Sequence, residues 1–277
     1  MRRLLRTDFA RMRHSKTLWI TLAVMLALCL YLLADLGYRM VHYPDRVARF
    51  ENDFFNYTPF LGFCCAMMVG MFTGADYSDG TIRNKLIVGN ERLHIYLSHL
   101  IAGFAMGAAV VAVSVVPMLV IGLPISNGFS IPNDRAAALI LLSIPTAMAF
   151  TSICTALAMA MQNRTAAVSV AFALMIVLFC SGLICRIKLN QPETIAPYSL
   201  AEGALVQEEE QPNPYYIDGL EREIYQWFQD IQPYGQMIQT ADGADPEHMG
   251  RWPFTSALVI LLSSGIGYAV FKRKDIK

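Results

Sequence analysis

Apolar residues in this chain come in long unbroken runs, not in the short alternations of a soluble strand or the one-sided stripe of a soluble helix. Crossing a bilayer takes about 20 apolar residues. Six runs meet or approach that length: 17–36, 58–75, 97–125, 136–161, 166–185 and 254–271. The pattern predicts an all-α, polytopic membrane protein with about six transmembrane helices. The second run, "TPFLGFCCAMMVGMFTGA", is the weakest span because it is short and rich in glycine. The first is too long for a cleaved leader, and no small-residue cleavage site follows it.

Polar stretches set the organisation around these runs. Residues 1–16 precede the first span, 17–185 hold spans one to five, 186–253 form a long outer segment, and 254–277 hold the last span and a basic tail. In "MRRLLRTDFARMRHSK", Leu4, Leu5, Phe9 and Met12 share one helical face with arginines around the rest. That reads as a helix lying in the inner interface against anionic lipid; a plain basic flank explains the same residues. Within the outer segment, Ile217, Leu220, Ile224, Trp227 and Ile231 repeat at steps of three and four, predicting an amphipathic helix over 214–235 bounded by Pro214 and Pro233. Its apolar face must cover the outer leaflet, the bundle or a partner. Pro117, Pro124 and Pro145 are expected to bend their helices, and Gly103 and Gly107 form a GxxxG pair suited to close helix approach.

Charge adds an orientation. With the N-terminus inside, 14 of the 22 basic residues fall on inner segments and 17 of the 22 acidic residues on outer ones. Both termini are therefore expected inside, although Arg39, Arg46 and Arg49 sit on the outer side. The zero net charge hides this split.

Candidate chemistry is scarce, and that excludes several classes. Carboxylates and histidines are nearly absent from the span interiors, which argues against proton- or sodium-coupled transport. No HExxH occurs, and His94 and His99, five apart, are off the face that would share a metal; they read as interfacial or structural. Glu208 to Glu210 lack nearby histidine or cysteine and read as a solvated turn. The six cysteines lie in or beside spans, as small apolar residues rather than a disulfide framework. No GxxxxGK[ST] loop is present to cradle a nucleotide. The sequence assigns no catalytic residue and no metal ligand.

One polar loop stands apart. Residues 76–96, between spans two and three, are far longer than the "QNRT" turn between spans four and five. Asp79 or Thr81 can cap a short helix, "TIRNKLIV", that Gly89 ends; Asn90 then opens a second helix running into span three. Arg83, Asn84 and Lys85, exposed and braced by Ile82, Leu86 and Ile87, would make a compact docking knob.

This loop resembles the first cytoplasmic loop of type 2 ABC transporter permeases, the membrane subunits of ATP-binding-cassette exporters. Their pattern is matched by Gly74, Asp76, Tyr77, Gly80, Thr81, Ile82, Arg83, Gly89 and Arg92. Asp76 stands where glutamate is commoner, and Glu91 where serine is. The N-terminal segment, the outer stretch "NPYYIDGLEREIYQWFQDIQPYGQ" and the ending "GYAVFKRKDIK" are similar to the subgroup found in Gram-positive bacteria. The resemblance implies a coupling helix within 76–96 that seats in a groove of a separate ATPase, through Asp76, Tyr77, Gly80, Thr81, Arg83, Asn84, Lys85, Gly89 and Arg92. It further implies two ATPase subunits that bind the ATP and Mg, a second permease copy or a related permease, and a bacterial plasma membrane location. No nucleic acid partner and no cofactor in this chain are expected. The substrate class suggested is amphiphilic, a peptide antibiotic being one instance. A membrane scaffold or sensor, docking a regulatory protein at the same knob, is the reading from another class. A passive channel fits less well, since no span carries a polar stripe.

Overall fold

The computed structural model describes residues 1–42, 49–126, 128–196, 198–201, 204–207, 210–242, 246 and 248–275. Arg46, Glu208 and Glu209, named above, lie outside these residues. Among the described residues, six helical stretches are long and apolar enough to cross a membrane: Lys16–His42, Phe50–Ser78, Arg92–Ser126, Asn133–Met161, Arg164–Leu189 and Met249–Arg273. Each exceeds its apolar run, because helical structure extends into the residues flanking the run.

In chain order, α1 (Arg2–Arg13) leads almost directly into α2 (Lys16–His42). A short α3 (Phe50–Phe55) and a tight turn at Thr58–Phe60 precede α4 (Leu61–Ser78). The small α5 (Thr81–Ile87) is followed by α6 (Arg92–Pro117). At Pro117, which offers no N–H, α6 relaxes into one π-helical turn, Met118–Gly122, and finishes as α7 (Leu123–Ser126). Then come α8 (Asn133–Met161), with Pro145 inside it, and α9 (Arg164–Leu189). The segment between α9 and the last span carries two short antiparallel ladders, β1 (Thr194–Ile195) with β4 (Gln211–Pro212) and β2 (Tyr198–Ala201) with β3 (Ala204–Gln207). Helices α10 (Gly219–Ile231), α11 (Pro233–Ala241) and α12 (Trp252–Arg273) complete the chain.

The run that looked weakest as a span is the most enclosed one, 61% of it being buried inside the chain. Its glycines are the reason. A Cβ on Gly74 would sit 2.6 Å from the Arg164 Cα, and one on Gly70 3.0 Å from a Val168 methyl, so α9 lies against bare α4 backbone. Gly103 and Gly107 do the same for α6 and α8, where a Cβ on Gly107 would lie 3.3 Å from the Ala147 carbonyl oxygen.

The predicted amphipathic helix is shorter than 214–235. It opens at Gly219, whose φ is +53°, and Pro233 both ends it and begins α11. Together α10 and α11 form a hairpin that dips into the bundle. At its turn the Gln232 amide donates to the Leu178 carbonyl, and Ser181 Oγ donates to Gln232 Oε1 at 3.1 Å. On the way back, Asp242 pairs with Arg186 at 2.5 Å. Eight residues of α9 separate the two contacts, about 12 Å of helix. The hairpin brings Asp230 and Gln236 to fully buried positions. Gln236 accepts from Thr146 Oγ1 (2.7 Å) and Ser256 Oγ (3.2 Å) and donates to Thr255 Oγ1 (3.0 Å). Asp230 and Gln236 thus enter the bundle from the loop between α9 and α12, which the span sequences did not show. The face of α10 bearing Leu220, Ile224, Trp227 and Ile231 stays exposed. Of the three coverings considered, the bundle is not the one.

Candidate functional site

The loop at 76–96 folds as α5 held between two glycines in the left-handed region, Gly80 at φ +67° and Gly89 at φ +89°. Open space surrounds both Cα positions, so the requirement is conformational, not steric crowding; another L-residue there costs about 1–2 kcal/mol. Gly80 occupies the N-cap position of α5 and no side chain caps it, so neither Asp79 nor Thr81 performs that role. At the other end the Gly89 N–H donates to Leu86 O (2.9 Å) and the Asn90 N–H to Lys85 O (3.2 Å), the paired closure of a Schellman motif. The Asn90 side chain also donates to Lys85 O at 2.9 Å. Asn90 therefore seals α5 instead of opening α6, whose N-cap position is Glu91.

The faces of α5 differ from expectation. Arg83 and Asn84 are exposed. Lys85, expected beside them, is 8% exposed, while Ile87 and Val88 stand out at 72% and 80%. The reason is electrostatic. Ile82 and Lys85 share the inward face, Ile82 packing with Leu4, Ile95, Tyr96, Met159 and Phe271 into a small core joining α1, α5, α6, α8 and α12. Beside that core lie two carboxylates that need a cation. Lys85 Nζ donates to Asp8 Oδ1 at 2.8 Å and to Asp76 Oδ2 at 3.0 Å.

A closed polar cluster results. Asp8, Asp76 and His99 are each at most 1% exposed. Arg11 ion-pairs with Asp76, donates to Phe72 O at 3.2 Å and lies 4.0 Å over the Phe72 ring. Ser98 Oγ donates to Asp8 Oδ2 at 2.7 Å. His99 Nε2 lies 3.0 Å from Asp76 Oδ2 and 3.4 Å from Lys85 Nζ, with Nδ1 3.4 Å from Thr73 Oγ1. The shorter contact makes Nε2 a donor to Asp76, and the Thr73 hydroxyl then donates to Nδ1. With neutral His99 the two acids balance the two bases. Burial tends to raise the Asp8 carboxyl pKa, but the group is held below its ordinary value by the Lys85 ammonium and the Ser98 hydroxyl beside it. Burial pushes the Lys85 ammonium below the usual lysine range, with Asp8 opposing. Asp8, Asp76 and His99 bring ligand atoms within 4.8 Å of one another, the spacing of a cation site; the Lys85 ammonium, in reach of all three, supplies the positive charge.

Two other predicted residues turn inward. Tyr77 donates its phenol to Met159 O at 3.0 Å, near the end of α8. Arg92, expected to contact a partner, donates to Phe271 O (2.8 Å), Lys272 O (3.1 Å) and Lys274 O (2.7 Å). The last carbonyls of a helix lack intrahelical donors, and a guanidinium at the start of α6 satisfies those of α12. Thr81 begins α5 with no cap role. Sequence reasoning missed Asp8, Arg11, Ser98 and His99. The signal for Asp8 was available: it falls four residues from both Leu4 and Met12, on the apolar face of α1.

Comparison with known proteins completes the picture. No curated protein matches the chain. A family model described as ABC-2 family transporter protein matches residues 4–180, which include most of α1, the whole cluster and α5. The chain belongs to that family: it is a multi-pass plasma-membrane permease subunit of an ABC transporter, a family that implies an ATP-binding partner.

Proposed function

We propose that this permease belongs to an ATP-driven exporter and that α5 is its coupling helix, seated in a groove of the ATPase subunit with both termini in the cytoplasm. The observation that carries the reading is the division of α5 into two faces. Arg83, Asn84, Ile87 and Val88 project outward, whereas Lys85 ties the opposite face to α1, α4 and α6. A force on the outer face therefore reaches α1 and α4 through buried ion pairs, with His99 of α6 packed beside them. Two ATPase subunits binding ATP and Mg would drive a pair of permeases between two states. The substrate we propose is amphiphilic, a peptide antibiotic being one instance.

Of the predicted docking set, Arg83 and Asn84 remain as contacts, joined by Ile87 and Val88. Gly80 and Gly89 set the geometry, and Asp76, Tyr77, Lys85 and Arg92 act from within. The test is co-purification of the tagged full chain in mild detergent from its host. The Arg83→Glu/Val88→Asp variant is expected to lose an equimolar P-loop ATPase while keeping normal expression and a monodisperse profile. Retention of the ATPase by that variant overturns the docking face.

A further inference from the structure

Helix α1 carries six charged side chains, and folding divides them unevenly. Its acid, Asp8, is buried against Lys85 and Ser98, and Arg11 turns inward to Asp76. Arg2, Arg3, Arg6 and Arg13 remain exposed, and none has an ion-pair partner among the described residues. The outward face is thus left with four guanidinium groups and no carboxylate. The first turn of α1 adds to the imbalance. It has no acidic residue and no side-chain cap, although free N–H groups and the helix dipole favour an anion there.

The position of this face identifies the anion. Only His14 and Ser15 separate α1 from the first span, and Trp19, 60% exposed, donates its indole N–H to Arg13 O at 2.8 Å. An indole one turn into a span marks the headgroup level. The arginine face therefore starts at the bilayer surface.

We infer that α1 binds anionic lipid headgroups of the adjacent leaflet and that their presence sets how firmly α5 is held. Asp8 supplies one of the two carboxylates that hold Lys85, so whatever steadies α1 steadies α5. Without lipid, four like charges within one short helix repel one another and loosen the wall that carries Asp8. Each basic residue near an anionic surface is worth roughly a five-fold gain in membrane affinity. This inference does not depend on α5 docking an ATPase, and its test uses the permease alone.

The full chain is placed in nanodiscs of phosphatidylcholine, with or without phosphatidylglycerol, and amide hydrogen exchange is followed over residues 81–90. Phosphatidylglycerol is expected to slow exchange there several-fold. Replacing Arg2, Arg3, Arg6 and Arg13 together by glutamine, all at exposed positions, is expected to abolish the difference. Asp8→Asn is expected to leave quenching of Trp19 by brominated phosphatidylglycerol intact while removing the protection of α5. Equal exchange in both bilayers overturns the inference, as does a lipid effect that survives in the arginine variant. Inorganic phosphate added to the neutral bilayer is expected to do nothing; if it reproduces the protection, the face recognises a soluble anion and the lipid reading fails. If only an added cytoplasmic ATPase protects α5, and the arginines are needed for that, the face docks protein instead.

Discussion

A single lysine decides how this site behaves. Lys85 meets Asp8 and Asp76 from two different helices, and removing it leaves Asp8 buried without a cation while Arg11 stays on Asp76. Breaking a buried pair from one side costs about 3–5 kcal/mol, whereas removing both partners costs much less. Lys85→Met is therefore expected to lower the detergent-phase unfolding temperature markedly, and Asp8→Asn/Lys85→Met to recover much of the loss. Additive losses would mean that the pair is not coupled. The comparison belongs near neutral pH. Because Asp8 lies below its ordinary value of 3.8 in the fold, its contribution is complete above that pH and lost as pH falls through the folded value. At this scale the sequence was half legible. The short helix and its end at Gly89 were visible; its start at Gly80, rather than at a cap from Asp79 or Thr81, was not. The orientation of that helix was hidden, because seven residues give less than two full turns of periodicity and Asp8, one of the two deciding charges, lies 77 residues away in α1.

Among the elements, α4 shows how glycine content was misread as weakness. A long apolar run announces contact with lipid, but a central helix needs close neighbours more than bulk. Gly74→Ala forces a methyl against Arg164 backbone, 2.6 Å from its Cα, whereas Gly37→Ala on α2 meets nothing within 4 Å. The first is expected to destabilise by about 1–3 kcal/mol. The second is expected to be neutral or slightly stabilising, since alanine is the better helix former. Paired thermal unfolding curves of the two variants decide it, and equal effects would disprove the close approach of α4 and α9. Span positions were readable because apolar length is a local property. The start of α10 at Gly219 was not, nor was the existence of α11, because Pro233 marks a helix end as readily as a helix start.

For the whole molecule, the placement of both termini and of α5 on one side of the membrane is the proposal most open to direct attack. Val88→Cys, 80% exposed at the tip of the knob, is expected to react with an impermeant maleimide in inside-out vesicles stripped of the ATPase and not in intact cells. Tyr215→Cys, 66% exposed beside the α10 hairpin, is expected to show the reverse. Labelling of both from one side would refute the six-span topology. The number of spans and their polar partition were visible in the sequence. The burial of the loop hairpin was not, since its contacts join residues far apart in the chain. That hairpin has a bearing on how the protein is made. Tyr234 fills a nest formed by Phe63, Phe150 and Phe179, at ring separations of 5.7, 4.7 and 5.6 Å, and presses on Gly62. All four partners leave the ribosome before Tyr234 exists, and chains assemble from the N-terminus as they are synthesised. The first five spans must therefore enter the bilayer around an unfilled centre, which stays open until the segment between α9 and α12 folds back to close it.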